Sequence, residues 1–481
     1  MSLKEYLSKL IKAPEHLVRH VYMYAALVGL ALVISAALFD RPAAQTNLPP
    51  IQHVVIIFQE NHSFDNVLGK LCVQTARCNG ATTGKLSNGQ TIPLSRASDL
   101  IPIVGHAVAD QQTAIDGGAM DKFDLIRGCG QITASSNLTP YACYSQYDAS
   151  QIPNLASLAQ TYTISDTTYE FSTTPTWAGH MVLASATMDN FEGDNPYQKQ
   201  HTPNGWGCDS MRDTQWWDGS NYIIVPSCVP DASGKGPYRA SPVAYVPTIF
   251  DRLEPAGKSW KIYGGTGGPG GADSGYALTI CPTFYECLGS SQRQNFVPAA
   301  NIIADAAAGQ LPNFSIVTPT SSNSQHNSHS MAVGDNWIGQ VVSAVQNDTT
   351  DWASTAIFIT YDDCGCFYDH VTPPSITTLG TNPPATSLGI RVPMVIVSPY
   401  ANLGGTDSNT ASFISMLAFT EHLFGLSPLN SNDAAAYDYS GAFSLKSSLG
   451  KAKKLKPAQT PIPAAEQLYI QTHPGDPDDP T

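Results

Sequence analysis

Charge is scarce in this chain. Only 13% of its 481 residues are charged, and basic side chains are the scarcer kind, 25 Lys and Arg against 39 Asp and Glu, for a formal net charge of -14. That balance excludes a duplex nucleic-acid partner, because neutralising phosphates takes a surplus of basic residues. Small-molecule or lipid substrates fit it better. No repeat of fixed period is present, which removes solenoids and propellers. No C-x-x-C pair or Cys/His quartet with ligand spacing occurs either, which argues against structural zinc. With 42% hydrophobic residues, the chain is long and apolar enough for one large domain or two.

The N-terminal segment is built differently from the rest. Lys4, Lys9, Lys12 and Arg19 precede an apolar run, 21–39, that Asp40 and Arg41 stop. Residues 1–44 therefore read as an export signal or a signal anchor, with candidate cleavage sites at Ser35, Ala36 and Ala37 or at 42–44. The run is about long enough to cross a bilayer, which takes roughly 20 residues, and its basic flank lies on the side the positive-inside rule requires. All ten cysteines follow this segment. Eight form sequence-local pairs, Cys72 with Cys78, Cys129 with Cys143, Cys208 with Cys228 and Cys281 with Cys287. An even count behind an export signal reads as disulfides in an oxidising compartment. Cys364 and Cys366 are separated only by Gly365, a spacing that strains a disulfide, and their state stays open.

Residues 45–50 read as a linker into a body spanning 45–445. The run 53–58 is apolar and of strand length, as a buried parallel strand is, and comparable runs recur at 355–360 and 392–397. Helix-like spacing occupies 151–159 and 335–345. Strands alternating with helices imply an α/β sheet covered on both faces. The stretch 195–289, rich in Gly, Pro, Tyr and Trp and holding two cysteine pairs, reads as a loop-rich insertion. Its aromatics Trp206, Trp216, Trp217 and Tyr222 are candidates to cage a choline group, although such residues more often pack. The tail 446–481 carries five lysines between Lys446 and Lys456 and a Pro/Asp-rich end. It reads as disordered, with the lysines a candidate for membrane-surface contact, although a solvated charge run is the commoner explanation. Nothing in the sequence speaks to oligomeric state.

Open α/β sheets bind ligands beyond the carboxyl ends of their strands, so polar residues just after a buried strand come first. Glu60 and Asn61 follow the run 53–58, and Asp362 and Asp363 follow 355–360. Adjacent carboxylates repel and raise each other's pKa unless something neutralises them. For an isolated Asp-Asp, a turn or helix cap is the favourite. Three acids and an amide at two strand ends shift the balance towards one divalent cation with oxygen ligands: Ca²⁺, Mg²⁺ or Mn²⁺. Thr176 lies in the stretch 173–180, TTPTWAGH, just before the apolar helix-like residues 181–186.

Gln59-Glu60-Asn61-His62-Ser63-Phe64-Asp65-Asn66 resembles the E-N-R-S-F-D-H block of the bacterial phospholipase C and acid phosphatase family. Residues 360–371, TYDDCGCFYDHV, resemble its T-Y-D-E-x-G-G-F-Y-D-H-V block, and Gly389-Ile390-Arg391-Val392-Pro393 matches G-x-R-V-P. Weaker echoes lie at 118–123, at 259–263, and at His326 ahead of 334–338, so the likeness runs in family order over about 53–399. It implies a three-layer α/β/α sandwich like that of alkaline phosphatase, carrying the disulfide-bonded insertion. The family's [S/T]-x-P-N-[R/H] block aligns with Thr176-Trp177-Ala178-Gly179-His180, which makes Thr176 the nucleophile. Ala178-Gly179 stands where that block has Pro-Asn, and Asp363 where many members have Glu.

The resemblance implies an exported metal-dependent phosphoric-ester hydrolase of phospholipase C or acid phosphatase type. Thr176 would attack phosphorus and form a phosphothreonine that water hydrolyses, with Glu60, Asn61, Asp362 and Asp363 holding the metal. His326 and His370, and more weakly His106, would bind phosphoryl oxygens or protonate the leaving group. For His106 a structural role is equally favoured. His180 would orient the loop, with a structural role again as favoured. The substrate is a phosphate ester or phospholipid. A sulfatase of the same fold needs a Cys or Ser nucleophile with Pro and Arg at fixed spacing, and that run is absent. A diverged extracellular phospholipid- or phosphate-binding protein of this fold is the alternative. Little chain follows Ser444, which points to the family's compact members.

Overall fold

The structure, a computed structural model, describes residues 48–130, 140–197, 205–266, 275–276, 278–375, 387–449, 451 and 454–472. The expected export segment 1–44 and the end of the tail, 473–481, lie outside the described residues. Among the described residues, no helix is long and apolar enough to cross a membrane.

Eight strands form the central sheet: β1 (His53–Gln59), β2 (Thr163–Ser165), β3 (Trp260–Gly264), β4 (Phe296–Pro298), β5 (Phe314–Val317), β6 (Thr355–Tyr361), β7 (Met394–Val397) and β8 (Thr406–Asp407). Their order is β4-β3-β5-β1-β6-β7-β2-β8. All neighbours pair in parallel except around β7, which runs against both β6 and β2. The run 392–397 was expected to resemble the parallel strands. A strand buried on both faces is apolar whichever way it runs, so the pattern carries no direction.

Both faces of the sheet are covered. On one side lie α1 (Pro153–Thr161), α3 (Asn301–Ala307) and α4 (Met331–Asn347), and on the other α2 (Thr176–Ser185) and α5 (Phe413–Phe424), each group packed within itself. Successive side chains of β1 show the alternation. Phe58 meets the rings of His180 and Phe413 edge-on at 4.7 and 5.2 Å, whereas Gln59 accepts from the Gln325 amide on the opposite side. The result is the expected α/β/α sandwich.

Two boundaries differ from the sequence reading. The stretch 195–289 is not one insertion, because β3 lies within it and pairs with β4 and β5. Five residues flanked by long loops give too short a pattern to stand out. What remains includes a hairpin, Asp213–Trp217 with Tyr222–Pro226, and Trp206 is buried in the core. The tail is not disordered throughout either. The Leu455, Ala458 and Thr460 amides donate to the side chains of Gln346, Asn154 and Asn336, and Leu455 is buried. Three amide side chains on α1 and α4 capture this strip, which composition does not reveal. A further helix, α6 (Ala464–Thr472), follows with no buried residue.

The four expected pairs, Cys72–Cys78, Cys129–Cys143, Cys208–Cys228 and Cys281–Cys287, are disulfides. Cys364 and Cys366 are buried free thiols with sulfurs 3.6 Å apart.

Candidate active site

Register brings the site together. β1 and β6 are parallel neighbours with Gln59 opposite Tyr361, so the next residues, Glu60-Asn61 and Asp362-Asp363, leave the sheet side by side at its carboxyl edge. Asn61 turns away at once with φ 58°, a left-handed conformation that Asn tolerates better than most residues. Its amide donates to Asp362 Oδ1 at 2.9 Å, and the Asp363 amide donates to the same oxygen at 2.8 Å. The Gly365 amide holds Asp363 Oδ1 at 2.6 Å. Gly365 itself has φ 53°, and any side chain there would collide with the Asn61 carbonyl.

The helix α2 closes the site from above. Thr176 opens it, and His180 follows one turn later on the same face. Thr176 Oγ1 donates a long hydrogen bond, 3.4 Å, to Asp363 Oδ2. His180 Nε2 lies 3.5 Å from Glu60 Oε1 and 4.0 Å from Asp362 Oδ2. The helix reaches this depth because residue 179 is glycine: a β-carbon there would stand 2.7 Å from the Asp362 carbonyl oxygen. This gives a physical reason for Gly179 where the resembling block has Asn. Gly179→Ala gains about 1 kcal/mol of helix propensity, but overpacking against a backbone atom costs about 1–3 kcal/mol. Its melting temperature is expected to fall, and any stabilisation by divalent ions to shrink with it, as thermal melts with and without ions will show.

Among the described residues, no Lys or Arg pairs with Glu60, Asp362 or Asp363. Burial pushes Glu60 up to about 8, with Asp362 offsetting part of this and the Asp363 charge adding to it. Burial and the Asp362 charge push Asp363 to about 8, and burial with the Glu60 charge holds Asp362 well above the usual carboxylate range. Burial also lowers His180 to about 4, so this imidazole is neutral. Among the described residues, both Glu60 carboxylate oxygens, Asn61 Oδ1, Asp362 Oδ2 and His180 Nε2 are buried with no hydrogen-bond partner. Orphaned acceptors of this kind are costly unless something fills them. Donor atoms of Glu60, His180 and Asp362 all lie within 4.8 Å of one another, a group able to hold a metal ion.

The three candidate histidines fall in different places. His106 Nδ1 donates to the Val104 carbonyl, so its Nε2 is the acceptor for the Asn61 side-chain amide at 3.0 Å. That leaves Asn61 Oδ1 as the free atom facing the acids. The His326 ring lies 6.1 Å from that of His106. Its Nδ1 faces the Asn327 carbonyl, and burial, with the His106 and His329 charges, lowers it to about 3.

His370 is not brought to this cluster. Its Nδ1 donates to Asp65 Oδ2 at 2.5 Å and its Nε2 faces Asn79 Oδ1 at 3.1 Å, leaving neither nitrogen for a phosphoryl group. Two acceptors around one ring are the pattern of an imidazolium. Burial pulls its pKa down, but the Asp65 hydrogen bond and charge outweigh this and raise it. A His with a raised folded pKa adds stability that is complete below its unfolded value, near 6.5, and is lost as pH rises through the folded value. His370→Gln should flatten that slope in melting temperatures measured from pH 6 to 9.

Two buried groups were not singled out from the sequence. Arg391 grips Asp369 through Nε and Nη2 at 3.0 and 3.1 Å and reaches Asp65 at 3.4 Å, so G-x-R-V-P locks the two other blocks together. Glu170 accepts from the Cys364 amide at 2.7 Å and from the Thr174 amide at 3.4 Å, tying the loop before Thr176 to the loop after Asp363. A lone acid between Tyr169 and Phe171 gives no signal of this. Only its position six residues before Thr176 could have drawn notice.

Comparison with known proteins places these features in a lineage. The model of the Phosphoesterase family matches residues 51–427. Phospholipase C A of Mycobacterium tuberculosis is 25% identical over 92% of this chain and 85% of its own length. A non-hemolytic phospholipase C of Burkholderia pseudomallei is 26% identical over 78% of this chain and 55% of its own. A solved Vibrio parahaemolyticus protein of the alkaline phosphatase superfamily is similar at a TM-score of 0.36 and 13% identity, covering 82% of this chain and 71% of that one. From the family match, and with a carboxylate-lined site at the carboxyl edge of its sheet, the chain belongs to the Phosphoesterase family and is a phosphoric ester hydrolase.

Proposed function

We propose that the protein is an exported phospholipase C-like hydrolase that transfers the phosphoryl group of a phospholipid or related ester to Thr176, beside one divalent ion held by Glu60, Asn61, Asp362 and Asp363. The observation that carries this reading is the set of buried, unpartnered acceptors on Glu60, Asn61 and Asp362. Clustered acceptors without donors suit a cation. The relatives' names support a phospholipid substrate, and the four disulfides support an oxidising compartment.

A divalent ion in this position supplies Lewis acidity, lowering the pKa of a nearby hydroxyl and neutralising charge on the phosphoryl oxygens. Asp363, in contact with Thr176 Oγ1, is placed to take its proton. The Thr176 oxygen then bonds to phosphorus as the ester oxygen leaves with its electron pair and takes up a proton. Thr176 at the first turn of α2 also puts the positive end of the helix dipole beside the developing charge. In the second step water attacks the phosphothreonine, its proton passing to solvent, and Thr176 leaves with its electron pair and recovers its proton from Asp363. His326, a neutral imidazole with its ring 6.1 Å from that of His106, is assigned to a hydrogen bond with a phosphoryl oxygen or the attacking water. His106 orients Asn61, and His370 is assigned to the Asp65–Asp369–Arg391 cluster.

Hydrolysis of p-nitrophenyl phosphorylcholine and p-nitrophenyl phosphate, each with and without chelator, tests the reading. Chelator-sensitive turnover with the diester preferred is expected. Preference for the monoester would make the enzyme an acid phosphatase, and no turnover of either would favour the diverged binding protein.

A further inference from the structure

We propose that His180 is itself a ligand of the ion, making the site a mixed nitrogen–oxygen one suited to a borderline cation such as Zn²⁺ rather than to Ca²⁺ or Mg²⁺. This inference rests on the metal reading above and adds the one ligand that decides which ion is bound.

The argument begins with helix geometry. Residues four apart share a face of α2, so the same turn that presents Thr176 Oγ1 to Asp363 presents His180 Nε2 to Glu60 and Asp362. The side chain is 3% exposed, and Nε2 is buried without a hydrogen-bond partner among the described residues. Its ring is held edge-on by Phe58 at 4.7 Å, and Gly179 beside it lets the helix settle onto the Asp362 backbone. The imidazole is therefore held by packing on its ring, with Nε2 making no hydrogen bond among the described residues.

Two other roles fit less well. A charge-assisted hydrogen bond from imidazolium to carboxylate closes to about 2.7–2.9 Å, yet the gaps to Glu60 and Asp362 are 3.5 and 4.0 Å. A purely space-filling ring would not aim its one orphaned nitrogen at two orphaned carboxylate oxygens. The observed gaps are instead in the range of neighbouring ligands around a common centre, whose arms of about 2.0–2.2 Å set ligand atoms roughly 3–4 Å apart. Distance alone does not choose the ion, but the donor type does. Ca²⁺ and Mg²⁺ take oxygen ligands, whereas an imidazole among carboxylates suits Zn²⁺ and its first-row neighbours.

The test uses the full exported protein, stripped with chelator and refilled. Mn²⁺ serves as the spectroscopic probe, and Zn²⁺ and Ca²⁺ affinities are measured by competition with a chromophoric chelator. Pulsed electron spin-echo spectra of the Mn²⁺-loaded wild type should show coupling to a ligating ¹⁴N that disappears in His180→Gln. Zn²⁺ affinity of that variant should fall by at least about 10–100-fold, the loss that even an outer-sphere partner of a metal ligand causes, while Ca²⁺ affinity stays near wild type. His180→Asn serves as a second variant, and melts of the metal-free proteins establish that both fold. An ion bound without nitrogen coupling, or unchanged Zn²⁺ affinity in both variants, overturns the assignment of His180 while leaving the oxygen-ligand site standing. A wild type that binds no divalent ion at all sinks this inference and the metal reading together.

Discussion

Thr176→Ala is expected to fold with a melting temperature near wild type and to lose hydrolysis by several orders of magnitude. One hydroxyl, whose side-chain hydrogen bond among the described residues is a long one of 3.4 Å, contributes little to stability, and the methyl that replaces the side chain fits the same helical position. The rate depends on it differently: without that oxygen the phosphoryl group has no acceptor on the protein, and turnover drops to whatever direct attack by water provides. Quenched reactions followed by intact-mass measurement should reveal a phosphorylated wild type, with the adduct on the peptide containing Thr176. A variant retaining full turnover would move the nucleophile elsewhere, with Thr173 or Thr174 next to be tested.

Asp362→Asn is expected to abolish both ion binding and turnover. The change is nearly isosteric, and the Oδ1 position can go on accepting from the Asn61 and Asp363 amides. What disappears is the negative charge behind Oδ2, one of the buried atoms without a partner. Because burial and the Glu60 charge already disfavour ionisation here, the metal-free variant should be no less stable than metal-free wild type. The two should separate only when ions are added, with wild type gaining stability and the variant not. Elemental analysis together with paired melts measures this, and full ion retention with unchanged activity in Asp362→Asn would remove Asp362 from the site.

The sheet's central strands and the acids at their ends were readable because both obey short rules. A fully buried strand is a run of apolar residues, and polar residues directly after it point into the crevice. Thr176 needed the family likeness, since a threonine before an apolar helix is common. The role of His180 was open to sequence reasoning through its four-residue spacing from Thr176, but only the fold shows which face of α2 meets the acids. Arg391, Glu170 and the placement of His370 were out of reach for a different reason. Each depends on partners tens to hundreds of residues away, as in Arg391 to Asp65 across 326 positions, and nothing local marks such a pairing. The same holds for the strip from Leu455 to Thr460, whose composition suggests no structure and whose order comes from amide side chains on two helices.

The pairing of β1 with β6 also sets when in the life of the chain the site can exist. Asn61 and Asp362 are 301 residues apart, so no shorter stretch contains both halves of the carboxylate cluster. During synthesis at roughly 5–20 residues per second, about 15–60 seconds separate the appearance of Glu60 from that of Asp362. Throughout that interval the apolar strand before Glu60 lacks the neighbour that covers one of its edges. Nascent chains and fragments cut anywhere between the two strands thus carry half a site each. Hydrolytic capacity arises in one late event, when a loop of 301 residues closes.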